Sequence, residues 1–590
     1  MLNKRLVQKR IKQNGLNPNT NKKNSIIHFG FIQAVLILLS ILATIKIYFF
    51  HMGIDEEYAV TMAYRVASGE ILFLDLWEPH QTSGFLSALL IRIFISVTDS
   101  LDYLVLFLRV TGSVIQAAIS IFLYQTCKKI VSRDAAFTAA LFFYNTLPKW
   151  IQSPEFANML IWFSTLAFLC LLRFYLGKSG NPIWLVLAGF SLAGMVLAYP
   201  SCILAVPVFL LAMRMLDKKS FFKSLLWLGG TCILLSIGYL GYYLQKMTLN
   251  EFLYGLRQMM TDGTHEYIIM ERVLDYGREL TKLLPHVLLV LGITLLVSFI
   301  IKKAIPTARS APGSKIFLFT LIITAQIEQV TCWLMDGLAL HYPLIYFYLL
   351  YSVGIFVVLR IPKEQRNSQI KAVFWLGMIA GGGVWLSALL ITNTTISVTG
   401  SYLMPGLIGS ILLSCEMTSA EPELSMGTFL RNLARIAALC LLGSTLFVKG
   451  FMVLTNQGIK SDIFLVRQKA LSGPAKGIYF SYLDGYRYNQ YADLAEEYIE
   501  EGTGVLYVGS HSLFYLLGTP VISTPSTIST PTYDERMLTY WELHPEKYPQ
   551  LVITEVGSVY LEDLQEILNL SEPIAETGDF IIYQIDTNSQ

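Results

Sequence analysis

Charge is scarce in this chain. Only 15% of its 590 residues are Asp, Glu, Lys or Arg, against about a quarter in an ordinary soluble domain, and the mean hydropathy is +0.52. That shortage excludes a soluble globular protein. An imbalance of sign is also missing: 44 Lys and Arg stand against 42 Asp and Glu, which leaves no basic surplus for nucleic acid. Cysteine is sparse and unpaired. There are seven, and Cys170, Cys202, Cys232, Cys332, Cys415 and Cys440 lie singly in or beside apolar runs, so they form neither a disulfide framework nor a metal motif and read as small packing residues. Gly502, Gly504 and Gly509 miss the spacing of a dinucleotide loop and read as turn glycines.

What the chain has instead is hydrocarbon. Fourteen apolar runs follow one another from residue 26 to residue 450, and a run of about 18 apolar residues crosses a bilayer as a helix because the helix satisfies its own backbone hydrogen bonds there. The predicted fold is therefore an α-helical polytopic membrane protein. Its first 25 residues carry Lys4, Arg5, Lys9, Arg10, Lys12, Lys22 and Lys23, which places the N-terminus in the cytoplasm by the positive-inside rule. The first run, from about Ile26 to Phe50, exceeds the core of a signal peptide and ends without a small-residue cleavage site. It reads as a retained span that delivers Asp55 to the outer face.

Parity then constrains the count. If Asp55 and Glu155 both lie outside, one of the three apolar runs between them does not cross, and the runs at 83–98 and 135–150 are the short ones. About thirteen crossings are expected, with the C-terminus outside. Three regions lie beyond the hydrocarbon: an outer loop at 51–82, a second at 244–285 whose mixed charges and aliphatics suggest surface amphipathic helices, and a tail at 451–590. In that tail, helix-like Tyr491–Glu501, strand-like Val505–Val508 and a later Leu551–Ile553 predict a small extracytoplasmic α/β domain.

The chemistry is concentrated in the first outer loop, where Gly53-Ile54-Asp55-Glu56-Glu57-Tyr58 is followed by Asp75-Leu76-Trp77-Glu78-Pro79-His80-Gln81. Ionisable groups beside a bilayer are costly, so such a cluster marks a functional site. A carboxylate at the membrane surface suits a general base acting on a hydroxyl or amine, or a ligand for a hard cation. The alternative at this point is a solvated helix face.

The segment resembles the GT-C glycosyltransferases, in particular glycosyltransferase family 39, which contains the protein O-mannosyltransferases and the lipid A aminoarabinose transferases. The resemblance covers about residues 26–240. It lies in an acid just after the first span, here Asp55 with Glu56, a small-residue helix with Ala59, Ala63, Ala67, Ser68 and Gly69, and a loop closing on Glu78-Pro79-His80-Gln81-Thr82-Ser83-Gly84. It continues in Asn145-Thr146-Leu147-Pro148 followed by Ser153-Pro154-Glu155, and in a later Tyr402-Leu403-Met404-Pro405. The resemblance implies inverting transfer of a sugar from a polyprenyl-phosphate donor to an envelope glycan, lipid or protein acceptor on the outer face of a plasma membrane, bacterial by expectation. Asp55 would be the base, with Glu78 and Glu155 completing the catalytic set. Glu56, His80, Arg257, His265, Arg272 and Tyr402 would contact substrates, the cationic ones at the departing phosphate. Where relatives carry His-Pro-Pro or Glu-Lys-Pro, this chain has Glu-Pro-His-Gln. Mg or Mn is a conceivable cofactor, with Asp55 and Glu155 as its candidate ligands.

Two other classes compete. A lipid or polysaccharide flippase would share the composition, but it would place charges near the midplane and show repeated halves, whereas the acids here lie at run ends and no repeat is evident. A polymer-binding protein anchored in the membrane would rest on the tail alone.

Overall fold

The computed structural model describes residues 18–50, 52–148, 150–177, 180–260, 269–336, 345–390, 396–419, 424–452, 467–527, 535–568, 570 and 572–585. Each apolar run has become a helix. The first is α1 (Pro18–Phe49), and a short helix α2 (Ile54–Ser68) follows it directly. Next come α3 (Gln81–Thr98), α4 (Leu104–Cys127), α5 (Arg133–Asn145), α6 (Phe156–Leu176), α7 (Ile183–Ala198), α8 (Val206–Leu216, entered through the 3₁₀ turn Pro200–Ala205) and α9 (Phe221–Leu244). After α10 (Leu249–Met260) the bundle resumes with α11 (Ile269–Ala304), α12 (Gly313–Asp336), α13 (Ile345–Arg360), α14 (Ser368–Leu389), α15 (Met404–Ser419) and α16 (Leu424–Met452).

The parity problem has a physical solution in α3. Its first residue, Gln81, accepts from the Phe73 N–H at 2.8 Å, in the loop that packs on the C-terminal domain through Trp77. Past its other end, Asp102 accepts from the Gly473 N–H at 2.8 Å and the Tyr103 N–H donates to the Gly473 carbonyl. One end therefore meets the domain directly and the other through that loop, while Ile91 and Phe94 between them share the domain's core, so α3 lies across the end of the bundle rather than along it. Among the described residues eight helices are long and apolar enough to cross a membrane, α3 among them by length and composition, and α7, α8, α13 and α15 are shorter apolar helices. Short α5 also joins the two ends of the bundle: Asp134 meets Arg435 at 3.3 Å at one end, and Asn145 meets Lys449 at 3.3 Å at the other.

Two glycines set close approaches. A Cβ on Gly112 of α4 would stand 2.3 Å from the Gln152 carbonyl oxygen, and one on Gly255 of α10 would stand 1.7 Å from that of Phe73. The first lets the segment before α6 press on α4; the second lets α10 cap the first loop. The surface-helix expectation for 244–285 needs correction. Among the described residues only α10 is a separate helix there, and the stretch from Ile269 onward is continuous through Pro285 with the 36-residue α11.

The tail holds a hairpin of β1 (Arg467–Lys469) and β2 (Tyr479–Ser481), then α17 (Tyr482–Tyr498), β3 (Gly504–Val508), β4 (Val521–Ile522), α18 (Glu535–Leu543), β5 (Leu551–Glu555), α19 (Leu561–Leu568), β6 (Ala575–Glu576) and β7 (Phe580–Gln584). The five-stranded sheet runs β4-β3-β5-β7-β6, parallel at β4-β3-β5 and antiparallel at β5-β7-β6. The helix expected at Tyr491–Glu501 starts earlier and ends earlier, because Ser481 caps the Asp484 N–H. This domain is docked, not tethered: Val60, Ala63, Ile91, Phe94 and Leu108 share one apolar core with Tyr488, Tyr491 and Phe514.

Candidate functional site

Three acids open α2, where the unpaired N–H groups and the positive end of the helix favour them. Two of them turn to different partners. Asp55 is half-buried at the helix start. Glu56 turns into the bundle, where Arg109 of α4 donates Nε–H to Oε1 at 2.9 Å and Nη2–H to Oε2 at 2.6 Å. Glu57 turns to the C-terminal domain, its oxygens 3.2 and 3.3 Å from His511 Nδ1. Arg109 also donates Nη1–H to the carbonyls of Ile47, Tyr48 and Phe50 at 2.8, 3.2 and 3.3 Å, so it ties the end of α1 to the start of α2. The expectation that Glu56 contacts substrate is corrected accordingly: both of its oxygens are taken by a guanidinium that is itself fully buried.

Glu78 is fully buried in the loop after α2. It accepts from the Thr527 N–H at 2.5 Å and from the Thr527 hydroxyl at 3.2 Å, with Arg65 Nη1 at 3.9 Å. Burial raises its carboxyl above the ordinary range, while Arg65, Tyr58 and Thr527 pull the other way. Its neighbour Trp77 donates its N–H to the Pro525 carbonyl, and Arg536 donates to the Trp77 carbonyl at 2.5 Å. The first loop and the C-terminal domain are thus one hydrogen-bonded unit.

An aromatic chain links these acids to the second acidic segment. Tyr58, one turn after Asp55, bonds Glu78 and meets Phe156 edge-on at 6.4 Å. His80 lies flat on Phe156, ring centroids 4.0 Å apart and planes 3° from parallel, and Tyr199 closes on it at 5.1 Å. Tyr402 follows at 5.9 Å from Tyr199. Glu155 is the residue that precedes α6, is buried, and lies within electrostatic reach of Tyr402. Glu78, His80, Glu155 and Tyr402 therefore surround a wall of Tyr58, Phe156 and Tyr199 at one end of the bundle, and Asp55 lies in the first turn of the helix that carries Tyr58.

The cationic candidates are more dispersed. Arg257 is exposed on α10. Arg272 lies over the Tyr276 ring at 4.8 Å and donates to its hydroxyl at 3.0 Å, and that hydroxyl donates to the Leu389 carbonyl. His265 falls outside the described residues. No three His, Cys, Asp or Glu side chains are gathered to hold a metal ion among the described residues.

Beside the aromatic wall runs an apolar groove of about 920 Å³ between α3, α4, α6, α7 and α9. Phe85, Phe122, Phe163, Trp184, Leu197 and Tyr239 line it. Its upper rim joins the site, because the Leu197 carbonyl accepts from Thr82 at 2.7 Å and Tyr199 stands two residues further on. The sequence reading missed Tyr58, Phe156, Tyr199, Arg65, His511 and Thr527.

The class these features define is a polytopic helical membrane protein with an acidic and aromatic site at one end of its bundle, covered by a small α/β domain. No family model and no curated protein matches the chain. Among solved structures it is similar to the archaeal oligosaccharyltransferase AglB from Archaeoglobus fulgidus in complex with an inhibitory peptide and a dolichol-phosphate, with 12% identity, 95% of this chain and 75% of that one covered, and a TM-score of 0.47. It is also similar to ArnT from Cupriavidus metallidurans, bound to undecaprenyl phosphate (12% identity, 94% and 98% covered, TM-score 0.39) and in the apo state (13%, 94% and 98%, 0.38).

Proposed function

We propose that this chain is a membrane glycosyltransferase that moves a sugar from a polyprenyl-phosphate donor to an acceptor at the outer face of a bacterial plasma membrane. One observation carries the reading. Acids and aromatics from segments hundreds of residues apart converge at the end of the bundle, at the rim of an apolar groove wide enough for an isoprenoid chain. A lipid-linked donor arrives within the bilayer, so its tail fits the groove while its sugar phosphate reaches the polar end.

In the proposed step the Asp55 carboxylate takes the proton of the acceptor hydroxyl or amine as that atom bonds to the anomeric carbon. The bond from that carbon to the phosphate oxygen breaks on the opposite face, its electron pair leaves with the lipid phosphate, and configuration inverts. Glu155 and Tyr402 orient the sugar or the acceptor. His80, Arg257, Arg272 and His265 are the groups available to the phosphate as its charge develops. Glu78 holds the C-terminal domain in register with the site. Mg or Mn, where one is bound, would take carboxylate oxygens of Asp55 and Glu155.

Orientation follows from charge. The short loops at the far end of the bundle carry Lys128, Lys129 and Arg133, then Arg214, Lys218, Lys219 and Lys223, then Arg360, Lys363, Arg366 and Lys371, which supports a cytoplasmic side for that end.

The test incubates the purified protein with radiolabelled polyprenyl-phosphate sugars and envelope acceptors. Loss of a general base lowers transfer by roughly 10²–10⁴-fold, and that is the expectation for Asp55→Asn. Equal transfer by the variant removes Asp55 from the role, and lipid-linked sugar translocated without transfer favours a flippase.

A further inference from the structure

At the same end of the bundle, on the other side of α4, a buried lysine and a half-buried one stand with no acid beside them. Lys449 of α16 is 1% exposed. It donates Nζ–H to the Thr44 hydroxyl at 2.8 Å and to Asn145 Oδ1 at 3.3 Å, and it stands 4.5 Å over the Tyr144 ring. Lys46 of α1 is within electrostatic reach of it, and its Nζ is buried without a hydrogen-bond partner. Among the described residues no carboxylate acts on either ammonium. Two like charges out of water and unopposed are expensive unless an anion joins them.

Position alone does not account for them. Each lysine sits in the last turn of its helix, where the negative end of the helix favours a cation. A lysine serving only that purpose snorkels, carrying its ammonium to water. These two turn inward.

The pair closes the end of a second groove. About 600 Å³ of apolar space lies between α1, α4 and α5, lined by Gly30, Ala34, Ile37, Ala117, Ile121 and Tyr144. Ser40 and Tyr144 belong both to the groove wall and to the lysine cluster: Asn145 donates to the Ser40 hydroxyl at 2.8 Å, and the Tyr144 and Thr44 hydroxyls are 3.1 Å apart. From Gly30 to Lys46 along α1 is about 24 Å at 1.5 Å per residue, the reach of one extended chain. With two-thirds of the volume of the aromatic groove, this one suits a single acyl chain rather than a long prenyl chain.

We infer that this is a second lipid site, which binds an anionic phospholipid with its phosphate between Lys46 and Lys449 and one acyl chain between α1, α4 and α5. The inference does not depend on the transfer reaction. Binding would draw α1, α5 and α16 together at the end of the bundle from which α2 starts.

The test titrates the purified full-length protein in neutral detergent with phosphatidylglycerol, phosphatidylcholine, undecaprenyl phosphate or inorganic phosphate. Bound lipid is counted by native mass spectrometry and thermal unfolding is followed in parallel. One phosphatidylglycerol per chain is expected to be retained and to raise the unfolding temperature, with phosphatidylcholine at least tenfold weaker. Lys46→Gln should weaken phosphatidylglycerol at least tenfold and leave undecaprenyl phosphate unchanged. Ala117→Phe plugs the groove without touching either lysine and should have the same effect. Equal retention of the two phospholipids, or phosphatidylglycerol undiminished in both variants, would overturn the inference. So would stabilisation by inorganic phosphate alone, which marks a free-anion site, or loss of undecaprenyl phosphate in Lys46→Gln, which marks a donor site.

Discussion

The two faces of α4 look onto two grooves, and the polar groups that end them are opposite in sign and in bookkeeping. On one face, Phe122 lines the aromatic groove that rises to Glu78, Glu155 and His80; on the other, Ala117 and Ile121 line the aliphatic groove that rises to Lys46 and Lys449. The acids of the first are largely answered within the protein, Glu56 by Arg109, Glu57 by His511 and Glu78 by Thr527 and Arg65. The lysines of the second are answered by neutral oxygens and a ring. Burial at the same depth of the same bundle has therefore been solved in two ways. Charges that belong to the architecture bring their counter-charge with them, and charges left without one are places where a ligand supplies it.

Removing one internal counter-charge breaks this contrast most strongly. Arg109→Leu leaves Glu56 a lone buried carboxylate and strips the carbonyls of Ile47, Tyr48 and Phe50 of their donor, making the acidic face a mirror image of the lysine face. Losing one partner of a buried pair costs about 3–5 kcal/mol, and that is the expected fall in unfolding free energy in detergent. The double variant Glu56→Gln/Arg109→Leu should recover part of it, since no charge is then stranded. If the double variant is no more stable than the single one, the pair is not what holds α1 to α2.

Much of this arrangement was legible in the residues, and the boundary of legibility has physical causes. The helical bundle, the acidic loop after α1 and the α/β tail follow from apolar run length and local composition. The parity conflict between Asp55 and Glu155 also showed that one run must fail to cross. Which run failed was not readable, because the runs at 83–98 and 135–150 are equally long; the contact of Asp102 with Gly473, 371 residues away, decides it. The site was readable in its acids, His80 and Tyr402, but not in the rings between them. Tyr58, Phe156 and Tyr199 sit in apolar stretches where an aromatic ring is ordinary, and Thr527 and His511 lie more than 400 residues from the loop they serve. Glu56 was misread for the opposite reason. Its partner Arg109 lies in an apolar run, where the pairing is invisible without the helix crossing that makes it.

The comparison sharpens at Glu78, which is answered by a backbone N–H rather than by a close cation. Glu78→Ala leaves the Thr527 N–H and the Arg65 guanidinium underbonded inside the protein. Stranding such donors costs about 1–3 kcal/mol, localised to the contact between the first loop and the C-terminal domain. Hydrogen exchange should accelerate at Ser523–Thr527 while β3 and β5 keep their protection. Glu78→Gln retains an acceptor and should lose less. Uniform acceleration across the whole sheet would mean that Glu78 supports the domain's own fold rather than its docking.

The smallest effect is expected where the counter-charge can be switched off. Burial works against the His511 imidazolium, but the Glu57 carboxylate in contact with it outweighs that effect and raises the imidazole above its ordinary value. A raised imidazole contributes stability that is complete below about pH 6.5 and is lost as pH rises through the elevated folded value. Docking of the C-terminal domain on α2 should therefore weaken on the alkaline side, by about 0.5–1 kcal/mol for a partly accessible pair. His511→Gln should flatten that dependence while leaving the lysine cluster's response to phosphatidylglycerol untouched. Persistence of the alkaline loss in the variant would assign it to other groups. The carboxylate of Glu57 would then be held as Glu78 is, by neutral donors, and the acidic face would owe its architecture to Arg109 and Arg65 alone.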